Sequence, residues 1–458
     1  MRLEEISVRG LLGKFSYRLR LHDDERVTIM HGPNGYGKTT LLRMIDAFYR
    51  GDYNLLQATT FESLELGFSD DVRMIIHREI TTPASEDGES QPQIVCELRA
   101  GDLLVHRDPM KRKRSLRFSR PHEALSRYVP FLRRVGPSTW EDVRDGEVLH
   151  EREVLARYED HLPPGVRPRK MVEPEWLTEH KEQFKVRFIQ SQRLLLENDQ
   201  VRPGHVTSSQ PSRFQFTVNA YARELGSMIE RKIAEYGALT ASYERSFPER
   251  FVAQDESLVD PARATALRTD IRTRLEEIEK KRARLQSSGL LDRQVDIQLS
   301  LAPGFSDAKL VFLDLYTRDV QTKLDIFDEL AEKIALFTEL LNRKFSYKKI
   351  SIARQKGFVI DAADIGELQP QDLSSGEQHE LVLCFELLFK TGPGFFVMID
   401  EPEISLHVEW QETFLEDLQR IANLAKFDSL IATHSPIIVG NRWDLAVNLS
   451  TQFDPVFA

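Results

Sequence analysis

The stretch that most constrains this chain is Gly32-Pro33-Asn34-Gly35-Tyr36-Gly37-Lys38-Thr39-Thr40. It fits the pattern G-x-x-x-x-G-K-[ST], whose meaning depends on what flanks it. Before it, Arg26 to Met30 alternate as a strand does; after it, Leu41, Leu42, Ile45, Ala47 and Phe48 recur at helical spacing. A strand feeding a glycine loop that opens a helix commits this part of the chain to an α/β fold. Glycines let the loop turn its N–H groups inward, and the helix N-terminus adds partial positive charge. The pattern therefore implies a site for a nucleoside triphosphate, with Asn34, Gly35, Gly37 and Thr40 in the phosphate-binding set. Lys38 is expected to reach the β- and γ-phosphates, and Thr39 to bind magnesium.

A second group of motifs lies far downstream. Leu373-Ser374-Ser375-Gly376-Glu377-Gln378 precedes a strongly apolar helix, Leu381 to Leu388. A serine-glycine turn at a helix start offers a hydroxyl and N–H groups to an anion. A plain N-cap, with Ser374 or Ser375 paired to Glu377 or Gln378, explains the same residues equally well. Next, Gly394 to Ile399 is an unbroken apolar run ending in Asp400-Glu401-Pro402. A buried parallel strand reads this way, and its end is where charge can be set beside a phosphate loop. Asp400 is expected in the magnesium shell and Glu401 as the general base that polarises the attacking water. Two adjacent carboxylates at a buried strand end repel one another unless a cation joins them. Leu430-Ile431-Ala432-Thr433-His434-Ser435-Pro436 is a further apolar strand, ending in a histidine expected to contact the γ-phosphate.

Between the two groups the character of the chain changes twice. Residues 1 to about 110 read as strands around the loop and its helix. Thr81 to Gln93 is a polar loop. Lys111-Arg112-Lys113-Arg114, with Arg117 and Arg120, reads either as a phosphate-backbone or partner contact or as a solvated hairpin tip. Lys185 to Ile189 alternates as a strand and runs into Gln190-Ser191-Gln192-Arg193. Gln192, with Gln190 as the alternative, is a candidate sensor of the γ-phosphate; a surface turn fits the local sequence as well. From Phe214 to Lys344 long helical patterns take over, with Glu276/Lys280 and Glu277/Lys281 pairs at i,i+4. A helix of 25 residues would extend about 40 Å, a compact arm that includes a short antiparallel helical hairpin. The expected division is 1–210 and 346–458 for the two halves of one domain, with 211–345 as the insertion.

Composition removes some functions. The 458 residues carry a net charge of −10, which argues against a protein that coats DNA through its overall field. No apolar run reaches the roughly 18 residues of a membrane span, and the first residues show no secretory pattern. Cys96 and Cys384 both sit among apolar residues, as expected of buried thiols in a reducing cytoplasm. After His434 only Asp444 and Asp454 supply carboxylates, and no metal-spaced cysteines or paired histidines occur elsewhere.

In this order the phosphate loop, the Leu-Ser-Ser-Gly-Glu-Gln run, the Asp-Glu strand and the strand-end histidine resemble the ATP-binding-cassette ATPase superfamily. Ser375 stands where that family usually has glycine. The run Asp400-Glu401-Pro402-Glu403-Ile404-Ser405-Leu406-His407 is similar to the non-transporter branch of the overcoming-lysogenisation-defect nucleases and their phage-defence relatives. Within it, the PtuA-like ATPases of Septu-type and retron-linked modules are the favoured match. The resemblance implies an ABC-type α/β head, split by a helical, short coiled-coil-like insertion. It implies ATP and Mg2+ as ligands, bound between the two copies of a head-to-tail homodimer. Lys38, Thr39, Asp400, Glu401 and His434 of one copy would face Ser374, Ser375 and Gly376 of the other. It also implies a separate HNH nuclease partner (PtuB-like), with DNA met through the complex, in the cytoplasm and away from membranes. A DNA repair or chromosome-maintenance ATPase of the RecF/SMC-like kind is the alternative; a transporter's nucleotide subunit is disfavoured by the long insertion and by His407 where transporters carry aspartate.

Overall fold

The computed structural model describes residues 1–80, 92–110, 129, 131–136, 139–143, 148–150, 154, 158, 173–191, 193–197, 214–253, 261–291 and 307–451. The polar loop at 81–91, the basic run at 111–120 and Gln192 lie outside the described residues. Contacts divide the chain into two compact units, Met1–Gln215 with Phe389–Ala458, and Phe216–Leu388.

The first unit opens with β1 (Leu3–Leu11), β2 (Phe15–Arg20) and β3 (Val27–His31), then helix α1 (Lys38–Arg50). Four more strands follow, β4 (Ser63–Phe68), β5 (Val72–Ile80), β6 (Pro92–Ala100) and β7 (Leu103–Pro109). They build an antiparallel sheet in the order β2-β1-β4-β5-β6-β7. Its strands bury alternate residues, as in β4, where Leu64, Leu66 and Phe68 point inward. Helix α1 buries Leu41, Leu42, Ile45 and Phe48. It stops at Gly51, whose φ of 76° suits the left-handed cap. Helix α2 (Glu175–Gln183) leads into β8 (Lys185–Ile189).

The second unit begins with α3 (Thr217–Val252), at 36 residues longer than the arm expected. Helices α4 (Pro261–Ser287), α5 (Asp307–Asp325) and α6 (Asp328–Lys344) complete the helical part. Pairings fix their directions. Arg250 and Tyr236 of α3 meet Asp319 and Phe327, so α3 runs against α5. Arg274 meets Asp314 and Lys281 meets Asp325, so α4 runs alongside α5 in the same direction. The antiparallel pairing is thus α3 with α5, joined by α4 as a third helix.

A three-stranded antiparallel sheet, β9 (Lys348–Ala353), β10 (Gly357–Ala362) and β11 (Gly366–Leu368), precedes helix α7 (Ser375–Phe389). Residues 346–388, expected with the C-terminal half of the ATPase domain, cluster with the helical unit instead. The reason is direct packing: Phe337 of α6 touches both Phe358 and Phe385, and Tyr221 of α3 stacks on Phe385 at 4.4 Å.

The chain then returns to the first unit with β12 (Phe395–Asp400), helix α8 (Val408–Ala425), β13 (Asp428–Thr433) and β14 (Ala446–Asn448). These join β8 and β3 in a sheet ordered β8-β12-β13-β3-β14, with every pair parallel. Parallel strands put all their carboxyl ends on one edge, which gathers residues far apart in sequence. One apolar core continues from Ile6, Val8 and Leu66 through Ile45 and Phe48 of α1 to Met398 and Leu430. The α/β head interrupted by a helical insertion, expected from the sequence, is the fold observed. Among the described residues no helix is long and apolar enough to cross a membrane.

Gly357 shows how tightly the second unit is built. Its φ is +75°, and a Cβ there would lie 1.9 Å from the carbonyl oxygen of Ala222 in α3. At Gly394, also left-handed, a Cβ would meet nothing within 4 Å. Urea unfolding should therefore separate the two: Gly357→Ala is expected to cost about 2–4 kcal/mol, Gly394→Ala about 1–2 kcal/mol. Equal losses would mean that α3 does not touch the β9–β10 turn.

Candidate functional site

The carboxyl ends of β3, β13 and β12 lie side by side, and the loop after β3 is Gly32 to Gly37. Gly35 and Gly37 have φ of +85° and +79°, which glycine adopts without strain. A Cβ on Gly37 would come within 2.8 Å of Leu11 Cδ2, so the loop closes against the β1–β2 hairpin. That hairpin also pins the loop through a ring ladder. Tyr36 stacks on Phe15 and Phe15 on Tyr17, while Tyr17 Oη donates to the Tyr36 carbonyl at 2.9 Å.

Lys38 is buried, and its ammonium donates to the carbonyls of Gly32 at 2.6 Å and Pro33 at 3.0 Å. Burial lowers its pKa, opposed by the charges of Glu401, Asp400 and Glu403. These carbonyls are partners a phosphate oxygen can replace. Thr39, one turn-residue further on, donates from Oγ1 to Asp400 Oδ1 at 3.0 Å. Two residues 361 positions apart in the chain thus meet side by side.

Asp400 is nearly inaccessible, and burial pushes its pKa up to about 6; the Thr39 hydrogen bond, Arg43 and Lys38 oppose that shift, while Glu401 adds to it. A carboxylate so placed is costly without a nearby cation. Among the described residues no three His, Cys, Asp or Glu side chains converge as a metal site. The donor set at hand, one hydroxyl and one carboxylate, suits magnesium, which takes its remaining ligands from water and phosphate.

Glu401 has φ +43° and ψ +58°, a left-handed conformation that costs a non-glycine residue about 1–2 kcal/mol. Its own N–H donates to the Ala432 carbonyl at 2.8 Å, so the turn occurs just where strand pairing ends. The kink sends the two adjacent side chains different ways: Asp400 is buried beside Thr39, whereas Glu401 is partly open. His434 Nδ1 lies 3.7 Å from Glu401 Oε1 and 3.1 Å from Glu403 Oε1.

Of the other residues named from sequence, Asn34 and Gly35 are exposed and Thr40 is half-buried at the start of α1. Gln190 is exposed at the end of β8. Ser374, Ser375 and Gly376 belong to the second unit, at the N-terminus of α7. The N-cap reading holds there. Ser374 N and Oγ both donate to Glu377 Oε2 at 2.8 Å, and Glu377 N returns to Ser374 Oγ at 3.4 Å. Lys348 neutralises Glu377 at 2.6 Å, and both serines remain exposed.

Sequence reasoning passed over three neighbours of the site. Glu403 is buried, and its Oε1 accepts from Thr433 Oγ1, His434 N and Ser435 N. Gln411 of α8 donates to the Glu403 and Leu406 carbonyls. His31, at the end of β3, stands edge-on to Trp443; burial and Lys38 lower its pKa. The available signal was Glu403 itself, an acid between Pro402 and Ile404 with no helix to solvate it.

A strand–loop–helix phosphate cradle beside a buried Asp and a kinked Glu defines a P-loop nucleotide-binding ATPase. The profile of the family described as "AAA domain, putative AbiEii toxin, Type IV TA system" matches residues 208–440, and the chain belongs to that family. No curated protein matches the chain in sequence. Among solved structures, the Smc head domain with an extended coiled coil bound to the C-terminal domain of ScpA, from Pyrococcus furiosus, is 12% identical with TM-score 0.33; the match covers 96% of this chain and 91% of that one. The SMC head domain from Thermotoga maritima is 12% identical with TM-score 0.32, covering 97% and 92%.

The raised pKa of Asp400 has a sign that can be checked. In the absence of a cation, stability falls as pH rises from the ordinary carboxylate value of 3.8 to about 6 and stays lower above it, and a bound cation offsets that loss. Below the shifted pKa the carboxyl is protonated and offers little to a metal. Magnesium should therefore raise the melting temperature at about pH 7.5 and have little effect at about pH 5. Asp400→Asn should abolish the difference.

Proposed function

We propose that this chain binds MgATP at the phosphate loop, hydrolyses it with Glu401, and uses the nucleotide as a switch over a partner effector in anti-phage defence. The observation that carries the ATPase part is the Thr39–Asp400 hydrogen bond, with Lys38, Glu401 and His434 around it. Lys38 exchanges its loop carbonyls for phosphate oxygens. Thr39 and Asp400 would hold magnesium, which neutralises phosphate charge when bound. Glu401 accepts the proton of the attacking water, and His434 donates to the γ-phosphate. Asn34, Gly35, Gly37 and Thr40 complete the cradle. Gln190 or Gln192 completes the water-holding side.

Ser374, Ser375 and Gly376 act on the nucleotide of a second copy, in a head-to-tail dimer. Their exposure at the start of a 15-residue helix supports this, since such an end favours an anion. The defence role, of the Septu PtuA-like kind with an HNH nuclease partner, is supported by the run Asp400 to His407 and by the toxin–antitoxin wording of the family's description. In it the nuclease, not this chain, cuts DNA.

Lys38→Ala should weaken MgATP binding at least about 100-fold, while Glu401→Gln should keep binding and lower kcat about 100- to 10,000-fold. Sedimentation of Glu401→Gln with MgATP should give twice the monomer mass, and Ser374→Arg should prevent it. Unchanged turnover in Glu401→Gln would remove it as base. Metal-dependent DNA cleavage by the chain alone, persisting in Lys38→Ala, would overturn the partner reading. Tight ATP-dependent DNA binding with a steep salt slope would favour a DNA-maintenance ATPase instead.

A further inference from the structure

Glu403 takes no part in the scheme above, yet it touches the residues on which that scheme depends. It lies in the short turn Pro402–Ser405, directly after the kink at Glu401, and its side chain is 6% exposed. One oxygen, Oε1, accepts three hydrogen bonds and lies beside the His434 ring. The donors are Thr433 Oγ1 at 2.6 Å, His434 N at 2.9 Å and Ser435 N at 3.2 Å, and His434 Nδ1 lies 3.1 Å away as an ion-pair contact. The other oxygen is buried with no hydrogen-bond partner among the described residues. Gln411 braces the same turn from α8: it donates to the carbonyls of Glu403 and Leu406 and accepts from Ser435 Oγ at 3.3 Å.

A buried carboxylate with one idle oxygen is a poor way to fill space, because an apolar side chain avoids the desolvation. What the charge does provide is a single acceptor for both the backbone and the imidazole of His434. An imidazolium paired with a carboxylate at Nδ1 has its ring orientation fixed and keeps its second N–H, at Nε2, for another partner. Lys38 and His31 also lie within electrostatic reach of Glu403, and Glu401 faces the same ring.

We propose that Glu403 is the positioning residue of this site: it fastens the end of β13 to the turn after β12 and pairs with the His434 imidazolium at Nδ1, so that the Nε2–H is the donor presented to the triphosphate. The inference rests on the hydrolysis reading above and deepens it. Glu403 does not touch the nucleotide; it acts through His434. Because its oxygen also holds the Thr433 hydroxyl and the backbone N–H of His434 and Ser435, it couples the strand end carrying the base, Glu401, to the strand end carrying the histidine.

The test uses the full chain and Glu403→Gln, which keeps an acceptor oxygen for the backbone but removes the charge. In the wild type the 15N imidazole signals of His434, assigned by their loss in His434→Gln, should show protons on both ring nitrogens. In Glu403→Gln those signals should move. The same substitution should lower kcat for ATP by about 10- to 100-fold with KM changed by less than about threefold. In a His434→Gln background it should produce no further loss, because the two residues act as one unit. A wild-type ring with either nitrogen bare, an unmoved signal in Glu403→Gln, or losses that multiply in the double variant would each overturn the proposal. Calorimetry with MgATP keeps the two readings apart. If the wild type binds no ATP, the hydrolysis reading falls, and the imidazole signals alone decide whether Glu403 holds His434.

Discussion

The hydrogen bond from Thr39 to Asp400 is the contact on which the rest of the first unit's architecture turns. It requires a loop that ends one strand and a carboxylate that ends another to meet at the same edge. Only a parallel sheet brings both ends to that edge, and the order β12-β13-β3 leaves one strand between them. That intervening strand is the one that ends in His434. Burial of Asp400 is the cost of this arrangement, since the carboxyl is driven toward its neutral form when no cation is present. The left-handed backbone of Glu401 follows from the same geometry. Two successive carboxylates leave a strand together, and the kink keeps them from sharing one environment.

The two units divide the proposed labour. The first holds the phosphate loop, the Asp-Glu strand and the histidine; the second holds the serine-glycine turn at the start of α7. Glu377 sits within that turn, an acid close to where an anion is proposed to bind. Lys348 cancels its charge, and the Ser374 cap uses its oxygen. The turn therefore keeps the hydrogen-bonding character of a helix N-terminus without presenting a free carboxylate to the phosphate.

Much of this was legible from the residues because strands and phosphate loops have strong local signatures. The strand at Lys185–Ile189 and the apolar strands before Asp400 and His434 were readable from alternation and unbroken apolar runs. The meeting of Thr39 with Asp400 was readable from motif order. Where the chain resisted reading, tertiary contacts decided the outcome. Residues 346–388 look like strands and a helix of the ATPase head, but aromatic packing of Phe358 and Phe385 on α3 and α6 draws them into the other unit. The direction of α4 relative to α5 depends on Arg274 and Lys281 finding aspartates far along the chain, which no periodicity reports. Glu403 was overlooked because a lone acid after Asp-Glu-Pro looks solvated; only the fold shows that three donors and the His434 ring surround one of its oxygens.

The central claim is that Asp400 and Thr39 form the cation half of an ATP site. Calorimetric titration of ATP, with and without magnesium, into the wild type and Asp400→Asn tests it most directly. The account predicts that magnesium tightens ATP binding to the wild type and has no such effect on Asp400→Asn. Binding that is equally tight in all four titrations would contradict it.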